Sequence, residues 1–158
     1  EEGRLVLDTT ATAYLPEYPH PGTLLRQLIE HTNGLPPYYE TFDPYFRPGH
    51  VRQTTDLLAI VQREMPIPRF PPGTRFEYSN IGFDAAALIV ERVVGKPIAE
   101  VFDTWFFAPL RMDSAFARPG RFADFPGPRT LGYRWADTGW ARYDVYDDDA
   151  VIGGSNVY

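Results

Sequence analysis

The chain has 158 residues, enough to bury roughly 70% of its unfolded surface in one core. Hydrophobic residues make up 44% and aromatics 15%, which excludes an intrinsically disordered chain. The formal net charge is −6, from 15 Lys+Arg against 21 Asp+Glu, with no basic cluster, so nucleic acid is not an expected partner. There are no cysteines, which excludes disulfides and thiolate metal sites. No apolar run approaches the roughly 20 residues of a membrane span. The first residue is Glu1 rather than Met, and we expect a removed native N-terminus.

Residues 1–22 are expected to be irregular, because Pro16, Pro19 and Pro21 oppose a helix. From Thr23, the stripe Leu24, Leu25, Leu28 and Ile29 predicts an amphipathic helix, with Gly34 suited to its C-terminal cap. Residues 35–53 read as an aromatic loop holding Tyr38, Tyr39, Phe42, Tyr45 and Phe46. Such rings can line a groove or pack the loop down, and packing is the commoner use. A second helix follows, capped by Thr54 or Thr55, with Asp56 in its first turn and Leu57, Leu58, Ile60 and Val61 on its apolar face.

Phe70-Pro71-Pro72-Gly73-Thr74 is a turn signal leading to Tyr78-Ser79-Asn80. A long helix is predicted from Ile81 to Val94, apolar on nearly every side and therefore buried, and ended by Gly95. Pro97 opens another helix, in which Ile98, Val101, Phe102, Trp105 and Phe106 keep the spacing of one apolar face. Residues 131–146 predict a β-hairpin turning over residues 136–139. The expected architecture is mainly α with a small β-hairpin, as one helix-rich unit over residues 1–158.

Three stretches stand in a recognisable order: Leu28-Ile29-Glu30-His31-Thr32-Asn33-Gly34-Leu35-Pro36, then Pro72 through Phe83 with Leu88 through Pro97, then Phe107-Ala108-Pro109-Leu110-Arg111-Met112-Asp113. Together they resemble the serine β-lactamase-like family, which holds class C β-lactamases, D-Ala-D-Ala carboxypeptidases and related esterases. The resemblance implies a helical subdomain of an α/β serine hydrolase. It also implies a β-lactam, D-alanyl peptide or ester as substrate, and an exported bacterial setting. The family uses Ser-x-x-Lys, Tyr-x-Asn and Lys/His-x-Gly motifs. Only Tyr78-Ser79-Asn80 is present in place. Three residues beyond Ser79, Ser114 and Ser155 stand Gly82, Ala117 and Tyr158, none of them lysine. His20-Pro21-Gly22 fits the third motif by letters but precedes Tyr78. The chain alone is therefore expected to be inactive, and its missing partner to be the α/β portion of the same protein.

By the resemblance, Tyr78 performs general acid–base work in an acyl-enzyme mechanism and Asn80 hydrogen-bonds the substrate amide or the motif lysine. A tyrosine with its ordinary pKa of about 10 needs a nearby cation to act as a base at neutral pH. The competing structural role makes Tyr78 a half-buried aromatic and Asn80 an N-cap. At the level of the whole protein, the alternative is a non-catalytic peptide- or protein-binding module. Ser79 lacks a paired base and is not expected to be a nucleophile. His31 is expected to hydrogen-bond locally or to meet a helix dipole. His20, His31 and His50 lack metal-ligand spacing, and Asp144 with Asp147-Asp148-Asp149 lacks the pattern of a calcium loop, so no metal or cofactor is expected. Gly153-Gly154-Ser155-Asn156-Val157 misses the nucleophile-elbow pattern at its last position.

Overall fold

A computed structural model describes residues 3–36, 45, 51–64, 66–117, 120–128 and 130–143. The remaining aromatics of the 35–53 loop, His50, the Asp144 to Asp149 run and the Gly153-Gly154 stretch lie outside the described residues. Five helices appear in chain order among the described residues: α1 (Ala11–Tyr14), α2 (Leu25–Ile29), α3 (Thr54–Glu64), α4 (Asn80–Val94) and α5 (Ile98–Phe102). A π-helical turn (Asp103–Phe107), a 3₁₀ turn (Phe122–Asp124) and the antiparallel strands β1 (Tyr133–Ala136) and β2 (Gly139–Arg142) follow.

The centre of the fold is α4. Helices α1, α2, α3 and α5 all pack against it. Its sequence dictates this, because a helix rich in Ala, Val and Ile with few charges has little surface to leave in water. Ile81, Ala85, Leu88 and Ile89 join the main core with Leu15, Leu25, Leu28, Leu35, Leu57, Ile60 and Val61. Ala87 serves a second, smaller core with Ile98 and Val101. Gly95 stops α4 in the left-handed region at φ 76°, its N–H bonded to the Glu91 carbonyl at 2.7 Å. The Glu91 side chain then accepts the N–H of Ile98 at 2.7 Å, so the end of one helix caps the start of the next.

Several sequence expectations need correction. Residues 1–22 are not wholly irregular: α1 forms upstream of the prolines, and Leu15, the residue before Pro16, leaves the helical region and ends it. The C-cap of α2 is not at Gly34. His31 takes the left-handed position at φ 55°, and the Thr32 N–H bonds the Gln27 carbonyl at 3.0 Å. Thr54 is inside α3, and the capping is done by Asp56, whose carboxylate accepts the N–H of Gln53 at 2.9 Å. The apolar stripe after Pro97 is broken by the π turn. Its extra residue rotates Trp105 and Phe106 outward to 48% and 47% exposure, while Phe107 turns inward. The predicted hairpin forms over Tyr133–Ala136 and Gly139–Arg142 among the described residues, with a two-residue turn at Asp137 and Thr138, and Trp135 meets Trp140 edge-on at 5.5 Å.

Two further contacts fix the periphery. Arg92 on α4 forms a two-pronged ion pair with Glu17, and that guanidinium holds the Glu17 carboxyl below the usual carboxylate range. Tyr18 is buried, and burial pushes its hydroxyl well above the usual phenol range.

The tightest approach in the core is between α2 and α4. A Cβ on Gly82 would stand 2.3 Å from the Leu28 carbonyl oxygen and 2.7 Å from Asn33 Nδ2. Gly95 also has positive φ, yet nothing lies within 4 Å of its would-be Cβ. Gly82→Ala is therefore expected to cost about 3 kcal/mol through overpacking, and Gly95→Ala about 1 kcal/mol through backbone strain alone. Urea unfolding of both variants checks the order; equal losses would contradict the close approach.

Candidate active site around Tyr78

The site is built where α2 ends and α4 begins. Residues 31–34 supply three backbone acceptors to the loop that precedes Tyr78. The carbonyls of Gly34, Thr32 and His31 take the N–H groups of Arg69, Gly73 and Glu77 at 2.8, 2.8 and 2.9 Å. Gly34 has φ 78°, and a Cβ there would meet the Phe70 carbonyl at 2.4 Å, so only glycine lets the two segments lie this close. Asn33 is buried and folds its Oδ1 back to accept the Leu35 N–H at 2.8 Å, closing a turn that Asn forms readily.

On this base sits Tyr78-Ser79-Asn80. Ser79 is 1% exposed, and its hydroxyl donates to the Pro36 carbonyl at 3.2 Å, so the middle residue anchors the motif from beneath. Tyr78, by contrast, is 58% exposed. Its hydroxyl donates to Asn80 Oδ1 at 2.6 Å. The two residues assigned by the sequence resemblance are thus brought together. Asn80 is the first residue of α4 rather than its N-cap. That position belongs to Ser79, whose side chain makes no capping hydrogen bond. With Oδ1 accepting from Tyr78, the amide NH₂ of Asn80 is left as a donor.

His31 was expected to bond locally, but it reaches across 48 positions of sequence. The Ser79 N–H donates to His31 Nδ1 at 3.3 Å, and the same nitrogen lies 3.2 Å from the Ser79 carbonyl oxygen. Its ring lies 4.6 Å from the Tyr78 ring and 5.1 Å from that of Phe83, at interplanar angles of 37° and 35°, with Phe76 edge-on at 5.6 Å. Holding an L-residue at φ 55° costs about 1–2 kcal/mol relative to a right-handed conformation. Sequence reasoning missed this role, because nothing in the one-dimensional pattern joins residue 31 to residue 79.

Glu77, next to Tyr78, accepts from Arg69 at 2.5 Å and from Arg75 at 3.2 Å. The Arg69 guanidinium, seconded by Arg75, holds the Glu77 carboxyl below the usual carboxylate range. Among the described residues, no group of three or more His, Asp or Glu side chains is arranged to hold a metal ion.

The unit presents an exposed tyrosine hydrogen-bonded to an asparagine two residues on, at the start of its central helix. Comparison with known proteins gives the family: the chain belongs to the Beta-lactamase family, whose pattern matches residues 1–158. It is 29% identical over 113 residues to penicillin-binding protein 4* of Bacillus subtilis, covering 72% of this chain and 25% of that protein. It is 27% identical over 133 residues to a D-aminopeptidase of Cereibacter sphaeroides, covering 82% of this chain and 25% of that one. The crystal structure of a penicillin binding protein from Bacillus halodurans superposes with a TM-score of 0.76 at 29% identity, covering 98% of this chain and 48% of that chain. The chain thus spans about a quarter of the length of the two curated relatives and about half of the solved structure.

Two measurements test this geometry. Asn80→Ala is expected to change stability by well under the roughly 1 kcal/mol of a lost N-cap, because Asn80 caps nothing; a full cap's loss in thermal unfolding would contradict the placement. Glu77→Gln is expected to lower the unfolding midpoint at neutral pH. Because the folded carboxyl titrates below its ordinary value, the Glu77 contribution is complete above about pH 5 and is lost as pH falls through its lowered value. The difference between Glu77→Gln and wild type should therefore vanish in acid; a difference that grew there would contradict the pairing.

Proposed function

We propose that this chain forms the Tyr-x-Asn wall of a serine hydrolase that works through an acyl-enzyme, and that it is inactive by itself. The observation that carries the reading is the exposed Tyr78 phenol fixed at 2.6 Å to Asn80 Oδ1. The substrate is a small molecule or peptide with an amide or ester to break: a β-lactam, a D-alanyl peptide or a simple ester. The name of the D-aminopeptidase relative favours a D-amino acid peptide, and that of the penicillin-binding relative a β-lactam. An exported bacterial setting belongs to the same proposal.

In the proposed step, a serine outside this chain attacks the substrate carbonyl, with its lysine beside it. A new C–O bond forms as the serine proton leaves toward the lysine and Tyr78. The C–N bond breaks and the departing amine takes a proton back from the same pair. Water then releases the acid by the reverse proton path. Asn80 donates its amide N–H to the substrate's acyl carbonyl, an orientation left open because its oxygen already accepts from Tyr78.

Tyr78→Phe in the full-length protein is expected to lower kcat by about 10²–10⁴-fold, the usual worth of general acid–base catalysis. Turnover of a chromogenic D-alanyl amide measures it. The 158-residue chain, incubated with a fluorescent penicillin, is expected to show no covalent adduct by intact mass; a stoichiometric adduct would overturn the reading. Wild-type turnover by Tyr78→Phe would remove the acid–base role of Tyr78, whereas no turnover by the full-length wild type would favour the non-catalytic binding module.

A further inference from the structure

We propose that His31 is a positioning residue that aims the Tyr78 phenol, an inference that rests on the acid–base role given to Tyr78 above. Three observations meet at this side chain. First, its backbone sits at φ 55°, at the position just past the α2 C-cap where glycine is the natural occupant. The helix end alone would be better served without a side chain. Second, the ring is used: it packs against both Tyr78 and Phe83, with centroids at 4.6 and 5.1 Å. Third, its Nδ1 faces the backbone of Ser79, 3.3 Å from the nitrogen and 3.2 Å from the oxygen. The ring therefore touches the motif at two successive residues.

The consequence concerns direction. Tyr78 is more than half exposed, so little of the protein body restrains its ring. Its hydroxyl is tethered to Asn80 at one end, and the His31 ring supports one face. With both in place the phenol has one orientation. Without the imidazole the hydroxyl keeps a single flexible tether and can swing. Proton transfer depends on the aim of the transferring oxygen, and a displacement of about 1 Å can lower a rate by about 10²-fold. His31 itself stays below the ring plane, bonded to backbone, and touches no reacting atom. Its expected signature is a change in kcat with KM nearly preserved.

The test uses the full-length protein with a D-alanyl p-nitroanilide as substrate. His31→Gly removes the ring while easing the backbone, so folding is not the casualty. Its unfolding midpoint is expected to stay or rise, with kcat down about 10–100-fold and KM within about twofold. His31→Phe keeps a flat ring against Tyr78 but loses Nδ1, and is expected to recover part of kcat. In a Tyr78→Phe background, His31→Gly is expected to add little, because the group it aims is gone. A readout without turnover comes from ¹³C-labelled tyrosine. The ring signals of Tyr78, identified by their loss in Tyr78→Phe, should move in His31→Gly while the other tyrosines stay in place. Wild-type kcat in His31→Gly, or an unmoved Tyr78 signal, overturns the proposal. If Tyr78→Phe itself turns over normally, the acid–base reading falls and this proposal falls with it. If Tyr78→Phe is impaired and His31→Gly is not, only the aiming role of His31 is lost.

Discussion

The site depends on one close approach: the first turn of α4 lies against the carbonyl of Leu28 in α2, with room only for the hydrogen of Gly82. Any side chain there would wedge the two helices apart. That would separate His31, just past the end of α2, from Tyr78, Ser79 and Asn80, which lead into α4. The contact is therefore both packing and positioning. Core burial of Leu28 and Ile81 on either side supplies the driving force that holds the backbones together.

Around this junction the chain uses backbone more than side chains. Residues 31–34 offer three successive-looking acceptors to a loop that starts more than thirty residues later, at Arg69, Gly73 and Glu77. A loop anchored by its own N–H groups is fixed in register irrespective of what its side chains do. That frees Phe76 and Tyr78 to stand out toward solvent while Ser79, between Tyr78 and Asn80, is drawn inward to Pro36. Alternation of exposed, buried and half-buried residues along three positions is how the motif presents two polar side chains and keeps its middle residue as a nail.

What the sequence made legible follows from the physics of each element. The long helix Asn80–Val94 was readable because an apolar segment ended by glycine has few alternatives, and the helix over residues 54–64 because its apolar face keeps a regular period. The motif singled out Tyr78 and Asn80, and the structure joins their side chains by one hydrogen bond. The π turn at Asp103–Phe107 was not, because Ile98, Val101, Phe102, Trp105 and Phe106 satisfy a regular helix, and an inserted residue leaves no trace in spacing. The α2 cap was misplaced to Gly34 because glycine is the usual signal. Here glycine was needed three residues later, beneath the Phe70 carbonyl, and histidine took the cap instead. His31 stayed hidden for the same reason: its partners are 45 or more positions away, beyond the reach of any local pattern.

The electrostatics of the wall show a division of labour. Arg69 and Arg75, the cations closest to Tyr78 in sequence, are engaged by Glu77, and their pairing holds its carboxyl below the usual carboxylate range. Their charge serves the loop. The Tyr78 hydroxyl meets a neutral acceptor, the amide of Asn80, so it rests as a donor. A phenol whose proton is engaged by an amide oxygen has to give up that bond and its proton before it can take up another proton. This wall thus contributes aim, through Asn80 beside the hydroxyl and His31 beneath the ring. In the proposed mechanism, the charge that makes an aimed phenol an acid–base group is that of the lysine beside the nucleophile.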